Sequence, residues 1–172
     1  MLVLQTERLR LRWFTLADAA FILDLLNQPS WIANIGERHV HTLADAEHWI
    51  NARLVPAYPG QTLGFWAVER QADGMLIGMC GLIKRDTLPA IDLGYAFPPQ
   101  HWGQGYAREA ASACLAHGRD VLRLTRLLAI TGPDNAASAR VLEAIGMRHV
   151  DTRILEGDTK STRVFEWLAA ER

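Results

Sequence analysis

The stretch "PPQHWGQGYAREAA", residues 98–111, sets two glycines one residue apart between a proline pair and an alanine-rich run. A chain that enters a helix here exposes a row of backbone N–H groups with no intrahelical acceptor. The helix dipole adds partial positive charge at the same point, so a phosphate is the natural ligand. Gly103 and Gly105 remove the side chains that would block close approach, and both permit positive φ. Gln100 adds a side-chain donor without adding charge. A Rossmann fingerprint would place a third small residue where Arg108 stands, and the Gly-Lys-Ser/Thr of a P-loop is absent. On the glycines alone, a bare turn and a phosphate cradle are equally open.

The surrounding pattern places this loop late in a mixed α/β chain. Leu9, Leu11 and Trp13 alternate with arginines as in a half-buried strand. Thr15 with Asp18, and Thr42 with Asp45, read as capping boxes opening two helices, the first ended by Pro29. "PAYPGQTLG" reads as a loop, and "FWAVER", "QADG" and "MLIGMCGLIKR" as a hairpin. "AIDLGYAF" is a further strand, with a glycine inside it that marks a bulge or a close backbone approach. The glycine loop then leads into a helix over 106–122. "RLLAITG" follows as a buried strand, and "NAASARVLEAIGMR" as a helix capped by Asn135 and stopped by Gly146. Two strands around "EGD" close the chain. These elements predict one domain over residues 1–172, a mixed sheet with about four helices on its faces.

A formal charge of −1 and no basic run argue against nucleic acid and against an anionic membrane surface. No stretch approaches the roughly 18 uncharged apolar residues of a membrane span. The arginine-bearing N-terminus is unlike a signal peptide, and two cysteines are too few for a disulfide framework, so a cytoplasmic protein with reduced thiols is expected.

"IDLGYAFPPQHWGQGYAREA" resembles the acetyl-CoA loop of the GNAT acetyltransferases, Gln/Arg-x-x-Gly-x-Gly/Ala, here running from Gln100 to Gly105. "NAASARVLEAIGMR" resembles that family's Asn-x-x-Ser helix, with Met147 in the usual Phe place. "TERLRLRWFTLADA" is similar to the opening of the ribosomal-protein N-terminal (alanine/serine), RimJ/RimL-like branch. The resemblance implies a twisted mixed sheet of six to seven strands, splayed between the fourth and fifth, with acetyl-CoA as co-substrate in the gap. It implies a cofactor-binding set of Tyr95, Ala96, Phe97, Gln100, His101, Trp102, Gly103, Gln104, Gly105, Tyr106, Ala107, Asn135 and Ser138. It further implies direct transfer to an amine acceptor, a protein N-terminus or a small molecule, by a monomer or homodimer. A bulge in "AIDLGYAF" would let a pantetheine arm pair with the strand.

Moving an acetyl group from a thioester to an amine requires a base for the amine, donors for the carbonyl oxygen and an acid for the thiolate. Asp92, two residues before Gly94, is the candidate base, one methylene shorter than the family's usual Glu. The N–H groups of Tyr95–Phe97 are the implied oxygen donors. The family's Tyr, seven residues after the Asn, is here Leu142, leaving Ser138 as the nearest hydroxyl. These two departures keep a rival open, a non-catalytic acyl-CoA sensor. His39 and His41 have HxH spacing with no assignable third ligand, so they read as surface residues and no metal is expected. Cys114, Trp31, Trp49 and Trp66 read as core.

Overall fold

The computed structural model describes residues 1–58 and 63–170. The Leu/Arg alternation forms β2 (Leu9–Arg12), with Leu9 and Leu11 fully buried and Arg10 exposed. Ahead of it β1 (Leu2–Gln5) pairs antiparallel, an added edge strand whose apolar run shows no alternation to signal one. Thr15 N donates to Asp18 Oδ2 at 2.8 Å, closing a short 3-10 turn before α1 (Ala19–Leu26). Pro29 ends α1 as expected and then occupies the first position of a further helix, α2 (Pro29–Asn34), where its missing N–H costs nothing. The second capping box forms as read: Thr42 Oγ1 accepts from Asp45 N at 3.1 Å and opens α3 (Leu43–Arg53). Of the loop read over 56–64, residues 59–62 lie outside the described residues.

The hairpin β3 (Gly64–Arg70) and β4 (Leu76–Ile83) is followed by β5 (Asp92–Ala96), α4 (Tyr106–Asp120) and β6 (Arg126–Thr131). Then come α5 (Ala136–Ala144), capped by Asn135 as expected, and the hairpin β7 (Arg148–Ile154) and β8 (Ser161–Leu168). One sheet runs in the order β1-β2-β3-β4-β5-β6-β8-β7. Among the described residues it has eight strands, where six to seven were expected, and α2 raises the expected count of about four helices to five.

The register fixes which side chains share a face. Trp66, Cys80 and Tyr95 stand opposite one another across β3, β4 and β5. Cys80 Sγ lies 3.4 Å from Cys114 Sγ on α4, so this is the face that α4 covers. Asp92 and Gly94 occupy the other face. There Leu88, from the connection between β4 and β5, buries against Leu128, Leu155 and Val164. Trp31, Trp66 and Cys114 are core residues as read, and Trp49 packs at the core's edge. Among the described residues no helix is long and apolar enough to cross a membrane.

The crossing of β3 and β4 is too close for any side chain at one position. A Cβ on Gly81 would lie 1.9 Å from the Gly64 carbonyl oxygen. Gly81→Ala is expected to cost about 1–3 kcal/mol in urea unfolding, the usual price of overpacking. An unchanged midpoint would refute this close approach.

Candidate active site

β5 and β6 meet through one bridge, Asp92 opposite Leu128, reinforced by Leu128 N donating to Ile91 O at 2.9 Å. Beyond it the parallel strands part, leaving one edge of Leu93–Ala96 without a strand partner. This is the expected splay between the same two segments, now the fifth and sixth strands because β1 adds one to the count. The expected bulge in β5 is not in its ladder with β4, which runs continuously from Met79–Ala96 to Ile83–Asp92. Gly94 serves the close approach instead: a Cβ there would strike the Phe65 ring at 2.8 Å. Across the gap, continuing the register sets Thr131 of β6 beside Tyr95. Thr131 Oγ1 is buried and has no hydrogen-bond partner among the described residues.

After β5 the chain makes a short 3-10 turn at Pro99–His101 and passes through two left-handed glycines, Gly103 (φ +72°) and Gly105 (φ +82°). Gly105 caps α4 with no side-chain hydrogen bond. The first α4 amide with a backbone acceptor is that of Glu109, donating to Gly105 O at 3.0 Å. The N–H groups from Gly103 to Arg108 therefore have no acceptor among the described residues. Nothing lies within 4 Å of the position a Cβ would take on Gly103, so the approach is open. Trp102 is pinned by its indole N–H donating to Phe97 O at 2.6 Å. Gln104 Nε2 bonds Gln100 O at 3.1 Å, which leaves the Gln100 amide free. Tyr106 is buried and Ala107 half-buried at the helix start.

The cationic partner of this loop comes from the other end of the sequence. Arg8 Nη1 donates to Gln104 O at 3.0 Å, and its guanidinium lies 4.7 Å over the Tyr106 ring. Arg8 Nε bonds Glu109 Oε2 at 2.6 Å, which fixes that geometry. An open groove of about 570 Å³ runs along α4 past Gly105, Arg108 and Ser112, with Thr6 and Arg8 on its far bank. A second groove joins Arg8 to Arg70 and Tyr106. His101 adds no charge at neutral pH, because burial and then Arg70 hold its pKa below the usual histidine value. Arg8 and Arg70 are invisible to motif reading: one lies in the bend before β2, the other at a hairpin end.

Asp92 sits where the sheet begins to split, and its side chain is 0% exposed. Arg85, 39% exposed, reaches it with Nε at 3.0 Å from Oδ2. Burial pushes the carboxyl up to about 6, against the pull of the Arg85 charge. Proton uptake thus favours the folded state; that contribution is present at low pH and is lost as pH climbs from 3.8 through about 6. Tyr95 Oη spans to α5, donating to Ser138 O at 3.0 Å and lying 2.8 Å from Ser138 Oγ. Burial raises the Tyr95 pKa, so it stays a phenol. Asn135 Oδ1 is taken by the Ser138 N–H at 3.1 Å, leaving its amide N–H groups for a ligand. Leu142 is core. The structure thus gathers the loop at one end of the gap and Tyr95 with Ser138 across it, while Asp92 lies at its closed end on the opposite face.

The model of the acetyltransferase (GNAT) domain matches residues 8–148 of this chain. The uncharacterized protein YkkB of Bacillus subtilis is 32% identical over 87% of this chain and 87% of its own length. YoaA of the same organism, an uncharacterized N-acetyltransferase, is 29% identical over 85% and 82%. A GNAT-family acetyltransferase structure from Bacillus anthracis superposes at a TM-score of 0.80 with 25% identity, covering 98% of each chain. The ribosomal L7/L12 alpha-N-protein acetyltransferase RimL, solved with coenzyme A, shares the fold at a TM-score of 0.81, 15% identity and 98% of each chain. A matched domain over most of the chain, on a sheet that splits beside a glycine-capped helix, identifies the protein as a member of the GNAT acetyltransferase family and an acyltransferase.

Proposed function

We propose that the protein transfers an acetyl group directly from acetyl-CoA to a primary amine, with no covalent enzyme intermediate. The observation that carries this is the row of N–H groups from Gly103 to Arg108 beside Arg8, at the mouth of the β5–β6 gap. Donors and a fixed guanidinium suit a pyrophosphate, and the unpaired β5 edge suits an amide-bearing arm. The residues present therefore fit the co-substrate. Gln100, His101, Trp102, Gln104, Tyr106 and Ala107 shape the pyrophosphate end. Ala96, Phe97 and Asn135 flank the arm.

The catalytic roles follow from the same geometry. Holding both reactants in one gap supplies orientation. Of the Tyr95–Phe97 backbone N–H groups, that of Ala96 points to β4, and those of Tyr95 and Phe97, on the open edge, would serve a carbonyl oxygen as it gains charge. The Ser138 hydroxyl, paired to the Tyr95 phenol at 2.8 Å, is the hydroxyl nearest the place that Leu142 cannot fill. Turned from Tyr95 it would give its proton to the leaving thiolate, and the proton taken from the amine, passed on through water, would restore it. Asp92 is buried and out of direct reach of an amine in the gap, so a base role for it would run through a water relay beside the part-exposed Arg85. A carboxyl at about 6 is largely ionised at neutral pH and basic enough to accept that proton. The acceptor is a protein N-terminal α-amine, in keeping with the RimL-like fold, or a small amine.

A screen of N-terminal peptides, polyamines and amino acids, read as CoA release and acetylated product, tests the reaction; co-substrate binding with no turnover on any acceptor overturns it. With the acceptor found, kcat/KM should rise with pH through about 6, and Asp92→Asn should flatten that limb at a lower rate. A wild-type profile in the variant would move the base elsewhere. Ser138→Ala should lower kcat by about 100-fold with little change in acetyl-CoA affinity, and an unaltered kcat removes its role. Gly105→Glu puts bulk and charge into the cradle and should abolish acetyl-CoA binding by calorimetry; retained binding rejects the cradle.

A further inference from the structure

Between α2 and α3 the chain does something the loop and the gap do not need. His39 is left-handed, at φ +55°, one of two described non-glycine residues with positive φ. In an extended segment Glu37 and His41 would stand about 13 Å apart, four steps of roughly 3.3 Å. The left-handed residue curls the chain, and one ligand atom from each of Glu37, His39 and His41 comes within 4.8 Å of the others. Sequence spacing supplies the HxH pair, and the turn supplies the third ligand.

The neighbours hold this arrangement from both sides. Val40 is buried, and its carbonyl accepts from Asn27 Nδ2 at 2.7 Å, which anchors the backbone between the two exposed histidines. His39 N donates to Glu37 Oε1 at 3.1 Å, drawing the carboxylate over the turn. His41 N donates at 3.0 Å to Asp45 Oδ2, the acid of the α3 capping box. The imidazoles meet edge to face with centroids 6.4 Å apart. Among the described residues no hydrogen bond engages a ring nitrogen of His39 or His41. None of the three residues lines the grooves beside α4.

We propose that Glu37, His39 and His41 form a surface site for a divalent transition-metal ion of the zinc class. Ligand atoms around such an ion sit about 2.0–2.2 Å from it and about 3.4 Å from each other in a tetrahedron, within a small rotamer change of the spacing present. Two imidazoles and a carboxylate select zinc, cobalt, nickel or copper over magnesium and calcium. They offset one of the two positive charges and leave a fourth position for water. Backbone strain at an exposed, non-glycine turn then has a purpose, since it converges three donors on one point.

The test uses the untagged chain, freed of metal by chelation, in equilibrium dialysis and calorimetry with zinc chloride. One ion per chain is expected, with higher thermal stability as the ion ties the turn together. Cobalt chloride should give visible bands without a thiolate charge-transfer band, since the only thiols are the buried Cys80–Cys114 pair. His41→Ala should abolish binding, and so should His39→Asn, which keeps a residue that tolerates positive φ. Glu37→Gln should weaken binding by about tenfold or more. All three positions are exposed, so unchanged melting of the metal-free variants checks the fold. No zinc binding by the wild-type chain overturns the site. So does binding that both histidine variants retain, or that Cys114→Ser alone abolishes.

Discussion

The proposed co-substrate site depends on β5 and β6 being joined by a single bridge among the described residues. Had the parallel ladder continued past Asp92–Leu128, the β5 edge would be paired, the gap closed and the helix start sealed against the sheet. Each of the two strands keeps a full partner on its other side: β5 an antiparallel ladder with β4, β6 six pairs with β8. Each strand is stable on its own side, so the missing pairing between them costs little and leaves backbone groups free for an added strand. The same parting aims β5 at the two left-handed glycines and so places the open N–H row at the mouth of the gap.

Charge is arranged sparingly around that row. Arg8 carries the fixed positive charge, held by Glu109 and by the Tyr106 ring, while His101 stays neutral through burial. The proposed cradle would rest on dipoles and on a guanidinium already held in place by Glu109 and Tyr106. At the closed end, Asp92 is the opposite case, a carboxyl desolvated enough to titrate near neutrality yet kept from full neutralisation by Arg85. The two ends of the gap thus use one protein dielectric in opposite ways.

Local rules carried most of the fold. Both capping boxes, the Asn135 cap, the hairpins and the glycine stop at Gly146 formed as read, because each depends on residues a few positions apart. β1 escaped because Leu2–Gln5 opens with three apolar residues in a row and shows no alternation. α2 escaped because its six residues carry too little periodicity and Pro29 both ends one helix and opens the next. The glycine within β5 reads from sequence as a bulge or a close backbone approach, whereas its ladder with β4 is continuous and its neighbour is the Phe65 ring, a side chain.

The sequence by itself determined the loop, the helix it opens and the family resemblance, since spacing along the chain sets which N–H groups a helix start exposes. Only the tertiary structure decided what stands around them. Arg8 reaches the loop from almost a hundred residues away, and Tyr95 meets Ser138 across the gap. Asp92 is sealed under the β4–β5 connection, and Glu37 joins two histidines through a turn. Each of these depends on sheet register or on a single backbone angle, and long-range pairing leaves no spacing for a sequence to display.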